Sequence, residues 1–216
     1  MAYKPFDLSG KTALVTGGNG GIGLGMADAM AQAGANVCIW GTNADKNTAA
    51  LEQLAAHGTE VAEMICDVSE ETQVERRFAE TIERFGNLHG VFANAGVSGG
   101  REQVPFTEMT TERWRQIVGV NLDGAFFTFR AAACHMVEHG EGGRIVGTAS
   151  LAAISGAARN EHYAATKGAV VSMTYALSVE MARYGITANA ILIWSAPPGP
   201  SPASFPQRSG YTVGCP

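Results

Sequence analysis

Residues 12–23, Thr-Ala-Leu-Val-Thr-Gly-Gly-Asn-Gly-Gly-Ile-Gly, limit what this chain can fold into more than any other stretch. Ala13 to Thr16 have strand character, five glycines follow within seven positions, and a helical pattern begins at once. Strand, glycine turn and helix in that order are the setting of a dinucleotide-binding turn. Without a Cβ, the turn can be tight and a pyrophosphate can approach its backbone. The following helix offers unpaired N–H groups and a favourable dipole to phosphates. Gly18, Gly20 and Gly23 fit G-x-G-x-x-G, and Thr16, Gly17, Gly21 and Gly23 fit T-G-x-x-x-G-x-G equally well. No Lys follows the glycines, which argues against a P-loop. The bland alternative is an ordinary flexible loop, and the flanking strand and helix weigh against it.

The rest of the chain repeats the same alternation. Strands are expected at 11–16, 36–40, 61–66, 88–93, 144–149 and 186–193. Helices are expected at 21–33, 45–57, from a Ser69 cap to about 85, over 110–139 and over 161–184. Strands separated by helices of this length imply parallel pairing with right-handed crossovers. Their Val/Ile/Leu/Ala-rich character fits strands covered on both faces. The expected fold class is α/β, a doubly wound, Rossmann-like parallel sheet of about six strands with helices on both faces. It forms one domain over 1–192, followed by an irregular tail over 193–216. Six of the eight prolines lie between Pro197 and Pro216, a density that forbids continuous helix and central strand alike.

Composition sets outer bounds. Of 216 residues, 46% are hydrophobic, enough for a substantial core. The net charge of −5 argues against a nucleic-acid partner. No apolar run reads as long enough to span a membrane. The N-terminus lacks an apolar h-region, so no signal peptide is expected. Cys38, Cys66, Cys134 and Cys215 are scattered without a C-x-x-C pair, which reads as reduced, core-filling thiols in a cytoplasmic protein.

A second informative stretch is Tyr163-Ala164-Ala165-Thr166-Lys167. Positions four apart share a helix face, so the phenol and the ammonium point the same way. An ammonium beside a phenol favours the phenolate, which suits proton transfer to or from a reacting oxygen. Y-x-x-x-K alone is weak, because a surface Tyr and a solvated Lys give the same pattern. Its context strengthens it. Ser150 ends the fifth strand just before this helix, where its hydroxyl can hold a carbonyl oxygen. Asn121 is a polar amide inside an otherwise apolar helical run, and it needs hydrogen-bond partners if buried.

Taken together, residues 6 to about 192 resemble a short-chain dehydrogenase/reductase of the single-domain kind. The motifs that carry the resemblance are Thr16-Gly17 with Gly21 and Gly23, Asp67-Val68, Asn94-Ala95-Gly96, Asn121, Ser150, Tyr163 and Lys167. The resemblance implies hydride transfer between NAD(P) and a secondary alcohol or ketone. Tyr163 would be the general acid/base, with Lys167 tuning it and binding the nicotinamide ribose. Ser150 would orient the carbonyl, and Asn121 would help hold a proton-relaying water. Gly17, Asn19, Gly21, Ile22 and Gly23 would cradle the cofactor. Asp67 and Val68 would touch the adenine, and Asn94, Ala95 and Gly96 would line the cleft.

Two departures qualify the resemblance. The acid expected at the end of the second strand, which favours NAD, is absent from Trp40-Gly41-Thr42-Asn43. Thr42 stands where NADP users often carry Arg. Thr42, Asn43 and Lys46 can contact a 2′-phosphate, so the balance tips slightly to NADP. The family's Pro-Gly, its substrate-covering helical segment, a further helix and a seventh strand are also expected to be missing after 192, as in a truncated or frame-shifted end. A dinucleotide-binding protein with little or no turnover is therefore the rival reading. His135, His139, Cys134 and Glu138 invite a metal, but no His-Glu-x-x-His order or third ligand accompanies them, and no metal is expected. The histidines and the charged face at 70–84 read as solvated surface. Homo-oligomerisation is expected through the apolar stripes Ala125, Phe126, Phe129 and Ala133 on one long helix and Ala169, Met173, Leu177 and Met181 on the other.

Overall fold

A computed structural model of the chain describes residues 6–98 and 104–194. Six strands form one wholly parallel sheet: β1 (Thr12–Thr16), β2 (Asn36–Gly41), β3 (Val61–Ile65), β4 (Gly90–Ala93), β5 (Gly143–Ser150) and β6 (Ile186–Ile193). Their order, β3-β2-β1-β4-β5-β6, reverses direction between β1 and β4. That switch point is where open α/β sheets leave a crevice beyond the strands' carboxyl ends. Ile193, expected to open the irregular tail, instead ends β6, and the rest of the tail beyond Trp194, with Arg208 and Cys215, lies outside the described residues.

Alternation along the strands splits the core. Leu14, Cys38 and Trp40 face one layer, while Val15, Val37 and Ile39 face the other. Helices α1 (Gly21–Gln32) and α2 (Ala44–Ala55) cover the second face. Helices α3 (Glu71–Phe85), α4 (Thr111–Val118), α5 (Gly124–His139) and α7 (Glu161–Met181) cover the first, and a single turn, α6 (Ala152–Ser155), follows β5.

The structure corrects several expectations. Ser69 does not cap α3: Glu70 holds that position, and the Ser69 hydroxyl instead donates to Asp67 Oδ1 at 2.7 Å. The long helix over 110–139 is two α-helices joined by a π-helical turn, Gly119–Asp123. Counted as one rod, Thr111–His139 is long and apolar enough to cross a membrane by length and composition. Ala125, Phe129, Ala132, Ala133 and Met136 are nevertheless spent on the protein core.

The proposed interface stripes are corrected by the same packing. Ala125, Phe129, Ala133 and Met181 are buried against the sheet, as stripes at helical spacing usually are. Phe126 points outward, and the outer face of α7 instead shows Tyr175 and Val179, which is 81% exposed. Cys38 and Cys66 are buried thiols, but Cys134 lies on the solvent side of α5 rather than in the core. Nor is His135 solvated: it is half-buried and its Nε2 accepts from Leu88 N at 3.3 Å, tying α5 to the start of β4. The charged face at 70–84 carries one buried side, Val74, Phe78 and Thr81, beneath its outer ion pairs.

Candidate active site

The glycine turn is built by close approach. Gly17 has φ +63°, and a Cβ there would sit 2.9 Å from Ala95 Cα. At Gly23 a Cβ would fall 2.2 Å from the Gly17 carbonyl oxygen and 2.4 Å from Asn94 Nδ2. Any side chain at Gly23 would force the first turn of α1 away from the loop.

Asn94 fastens this turn to the sheet. Its Nδ2 donates to the carbonyls of Thr16 (3.1 Å) and Gly17 (3.3 Å), and its Oδ1 accepts from Thr148 Oγ1 at 3.2 Å. Thr16 Oγ1 in turn accepts from the backbone N–H groups of Asn94 and Ala95. The end of β4 is thereby held against the end of β1, at the switch point.

Lys167, 5% exposed, sends Nζ to the carbonyl of Thr148 at 2.7 Å. Burial pushes its ammonium down from 10.5 to about 8. The same Nζ stands 5.7 Å from the centre of the Tyr163 ring. Ser150, at the tip of β5, accepts from Ala152 N at 3.2 Å through Oγ. That contact leaves the hydroxyl hydrogen for another partner.

Asn121 lies in the π-helical turn and is 1% exposed. Its Oδ1 accepts from Val97 N at 2.7 Å, and its Nδ2 donates to Val97 O (2.9 Å) and Thr166 Oγ1 (3.3 Å). Thr166 Oγ1 itself donates to the Tyr163 carbonyl at 2.8 Å. Gly96 makes room, since a Cβ there would lie 3.2 Å from Asn121 Oδ1 and 3.4 Å from Lys167 Nζ.

These parts surround one cleft of about 730 Å³. Of the residues singled out from sequence, Gly17, Asn19, Gly21, Ile22 and Gly23 line its glycine end, with Thr42, Asp67 and Val68 beside them. Asn94, Ala95 and Gly96 form the middle, and Ser150, Tyr163 and Lys167 the far side. Asn43 is not brought to the cleft; its side chain caps α2 by accepting from Lys46 N at 2.9 Å. Asn121 stands behind the wall rather than on it. Sequence reasoning missed Thr148, Thr166 and Asn47. Only Asn47, an amide in the apolar stripe of α2 with Ala50 and Leu54, carried a signal that could have revealed it.

A model of the short chain dehydrogenase family matches residues 11–194. The chain belongs to the short-chain dehydrogenases. As a member of that family it is an NAD(P)-dependent oxidoreductase. Among similar proteins is 2,5-dichloro-2,5-cyclohexadiene-1,4-diol dehydrogenase of Sphingobium indicum, 36% identical over 186 residues, or 86% of this chain and 72% of the relative. L-rhamnose-1-dehydrogenase of Scheffersomyces stipitis is 37% identical over 196 residues, again 86% of this chain and 72% of the relative. Among solved structures, NAD+-bound xylitol dehydrogenase superposes with a TM-score of 0.82 at 30% identity, over 86% of this chain and 70% of that one.

Proposed function

We propose that the cleft takes NAD(P) along its glycine end and a secondary alcohol or ketone between Ser150 and Tyr163, with Tyr163 as general acid and base. The observation that carries this reading is the convergence of Ser150, Tyr163 and Lys167 on the wall of the same cleft that the glycine turn opens. The lack of room for a Cβ at Gly17 and Gly23 supports the fit of a dinucleotide, because the bare backbone is what a pyrophosphate can approach. Nicotinamide, when bound, supplies or accepts the hydride.

The chain's own residues handle the proton and the orientation. Tyr163 Oη gives its proton to the substrate oxygen in reduction and takes one back in oxidation. Ser150 Oγ, steadied by the Ala152 N–H, donates its hydroxyl hydrogen to that oxygen. Lys167, anchored on Thr148, holds its charge beside Tyr163. Asn121 is a positioning residue in this reading. Its amide joins Val97, just after β4, to Thr166 on α7, and so fixes the wall behind the cleft.

At the ribose end no acid faces the cleft from position 41, and Thr42 and Lys46 line it. An uncharged strand end and a nearby cation suit a 2′-phosphate, so NADP is the favoured cofactor. The named substrates of the relatives, a cyclic dienediol and L-rhamnose, point to ring-shaped polyols as the substrate class. We also propose self-association through the outer faces of α5 and α7. The test is the absorbance of reduced nicotinamide during incubation with a panel of cyclic and sugar alcohols and their ketones. Turnover of at least one, faster with NADP than with NAD, is expected. Tight NADPH binding with no turnover across the panel would instead mark a dinucleotide binder.

A further inference from the structure

Tyr163 and Lys167 share one face of α7, and His162 and Thr166 share the face beside it, one residue earlier in each turn. The first pair lines the cleft, whereas His162 is completely buried and Thr166 is 1% exposed. Helix α7 packs against both α4 and the π-helical turn. Thr166 is tied on two sides, since its Oγ1 accepts from Asn121 Nδ2 and donates to the Tyr163 carbonyl. His162 has no such tie. Neither its Nδ1 nor its Nε2 meets a hydrogen-bond partner in the protein.

Polar nitrogens buried in this way carry a desolvation cost that an apolar ring would not. No step of the proposed reaction uses them. A proton makes the cost larger, because an imidazolium donates from both nitrogens and needs an acceptor at each. The groups around the ring offer little. Arg113, from α4, is a cation and opposes a second positive charge. Glu161, next to it on α7, favours that charge, but its Oε1 already accepts from Arg159 N at 2.9 Å. The Asn160 carbonyl also lies near the ring and already accepts from Ala164 N at 3.0 Å. Helix α6, packed on α7 as well, carries no charged side chain. Burial and Arg113 outweigh Glu161 and Asn160, so the ring holds a proton less readily than an ordinary imidazole at 6.5.

We infer that His162 is a positioning residue, a buried latch between α7 and α4 that holds Tyr163 in place only while its ring is uncharged. On protonation the first turn of α7 parts from α4, and the Tyr163 phenol leaves the cleft wall. This rests on the acid/base reading of Tyr163 above. In the opened state the ring regains its ordinary value, so opening takes up a proton below pH 6.5 and none above it. The opened fraction should then grow by up to about tenfold for each pH unit below that point, the slope of a single proton.

Hydrogen exchange of the full chain, read by mass spectrometry from about pH 8 down to about pH 5 and corrected for the intrinsic rate, follows this opening without any cofactor. Peptides from α4 and from the first turns of α7 should lose protection below pH 6.5, while those of α1 and α2 on the opposite sheet face keep theirs. His162→Phe, whose ring cannot titrate, should keep α7 protected throughout. His89 and His135, which burial also holds below 6.5, are present in both proteins, so the difference belongs to His162. Should His162→Phe not fold, His162→Gln, equally unable to titrate, takes its place.

Reduction of a ketone from the panel gives the second readout, because Tyr163 enters that direction protonated and adds no acid limb of its own. In wild type kcat should fall by up to about tenfold per pH unit in the acid range and recover on return to about pH 8. In His162→Phe that fall should be absent. Protection of α7 that is independent of pH in wild type overturns the inference, and so does an acid response, in exchange or in kcat, that survives the substitution. Tyr163→Phe with wild-type turnover would overturn the acid/base reading and leave the exchange result standing, which separates the two failures.

Discussion

Lys167 Nζ lies 2.7 Å from the carbonyl oxygen of Thr148, inside a protein wall that leaves the lysine 5% exposed. One neutral acceptor is thin compensation for burying an ammonium, and burial lowers its pKa from 10.5 to about 8. The unfolded chain therefore holds this proton more tightly than the folded one does. Between these two values stability contributed by this group rises with pH, and below about 8 the full penalty is present.

The gap corresponds to roughly 3 kcal/mol. In urea titrations of the cofactor-free protein, wild type should gain stability relative to Lys167→Met as pH rises from about 8 towards 10.5. Parallel curves for the two proteins over that range would remove the attribution to Lys167.

Tyr163→Phe deletes one hydroxyl at the cleft wall and leaves the glycine end untouched. Turnover should fall by about 10²–10⁴-fold, the usual worth of a positioned general acid/base. NADPH affinity should stay within about threefold, since the ring and Lys167 are unchanged. Activity comparable to wild type would assign the proton transfer to another group.

Gly23→Ala tests the cradle. Its new methyl must displace the Gly17 carbonyl, 2.2 Å from the ideal Cβ position, or the Asn94 amide at 2.4 Å. Neither can yield without breaking the link between the glycine turn and β4. Cofactor affinity should drop by about a hundredfold or more, in line with a backbone shift that misplaces several phosphate contacts at once. Isothermal titration at one salt concentration measures it, and an unchanged constant would mean that the turn does not hold the dinucleotide.

The legible part of this protein is the part whose geometry is local. Tyr163 and Lys167 share a helix face at any tertiary arrangement, and a glycine turn between strand and helix has few other uses. Ser150 could be placed because it ends a strand. Asn47 could be suspected from its place in the apolar stripe of α2, but not assigned a role: its partners Glu63 and Met64 come from β3, and nothing in α2 names them. Thr148 meets Lys167 through its carbonyl, which every residue possesses, so no pattern could single it out for that contact. Four of the eight stripe residues, Ala125, Phe129, Ala133 and Met181, serve the core instead of an outer face, because an apolar stripe at helical spacing does not say which side the sheet lies on.

Self-association should therefore involve what remains outside. Tyr175 is 69% exposed and Val179 81%, both on α7, with Phe126 at 43% on α5. Sedimentation at micromolar concentration should show a dimer or tetramer, and Val179→Lys should shift it towards monomer by about tenfold or more in dissociation constant. Wild type sedimenting as a monomer would end the proposal.

The π-helical turn at Gly119–Asp123 also makes the chain sensitive to length as well as to side-chain identity. A wide turn holds one residue more than an α-helical path between the same ends. Removing any one of these five residues would let the rod close into continuous α-helix between the same ends, so α4 and α5 would keep their phase while the turn itself lost its shape. Ile117, the buried residue of α4, would keep its seat, whereas Asn121 would be turned away from Val97 and Thr166. A single-residue deletion in this segment should thus leave α4 and α5 packed and be felt at the cleft through Asn121, whereas a further inserted residue would put the two helices out of step.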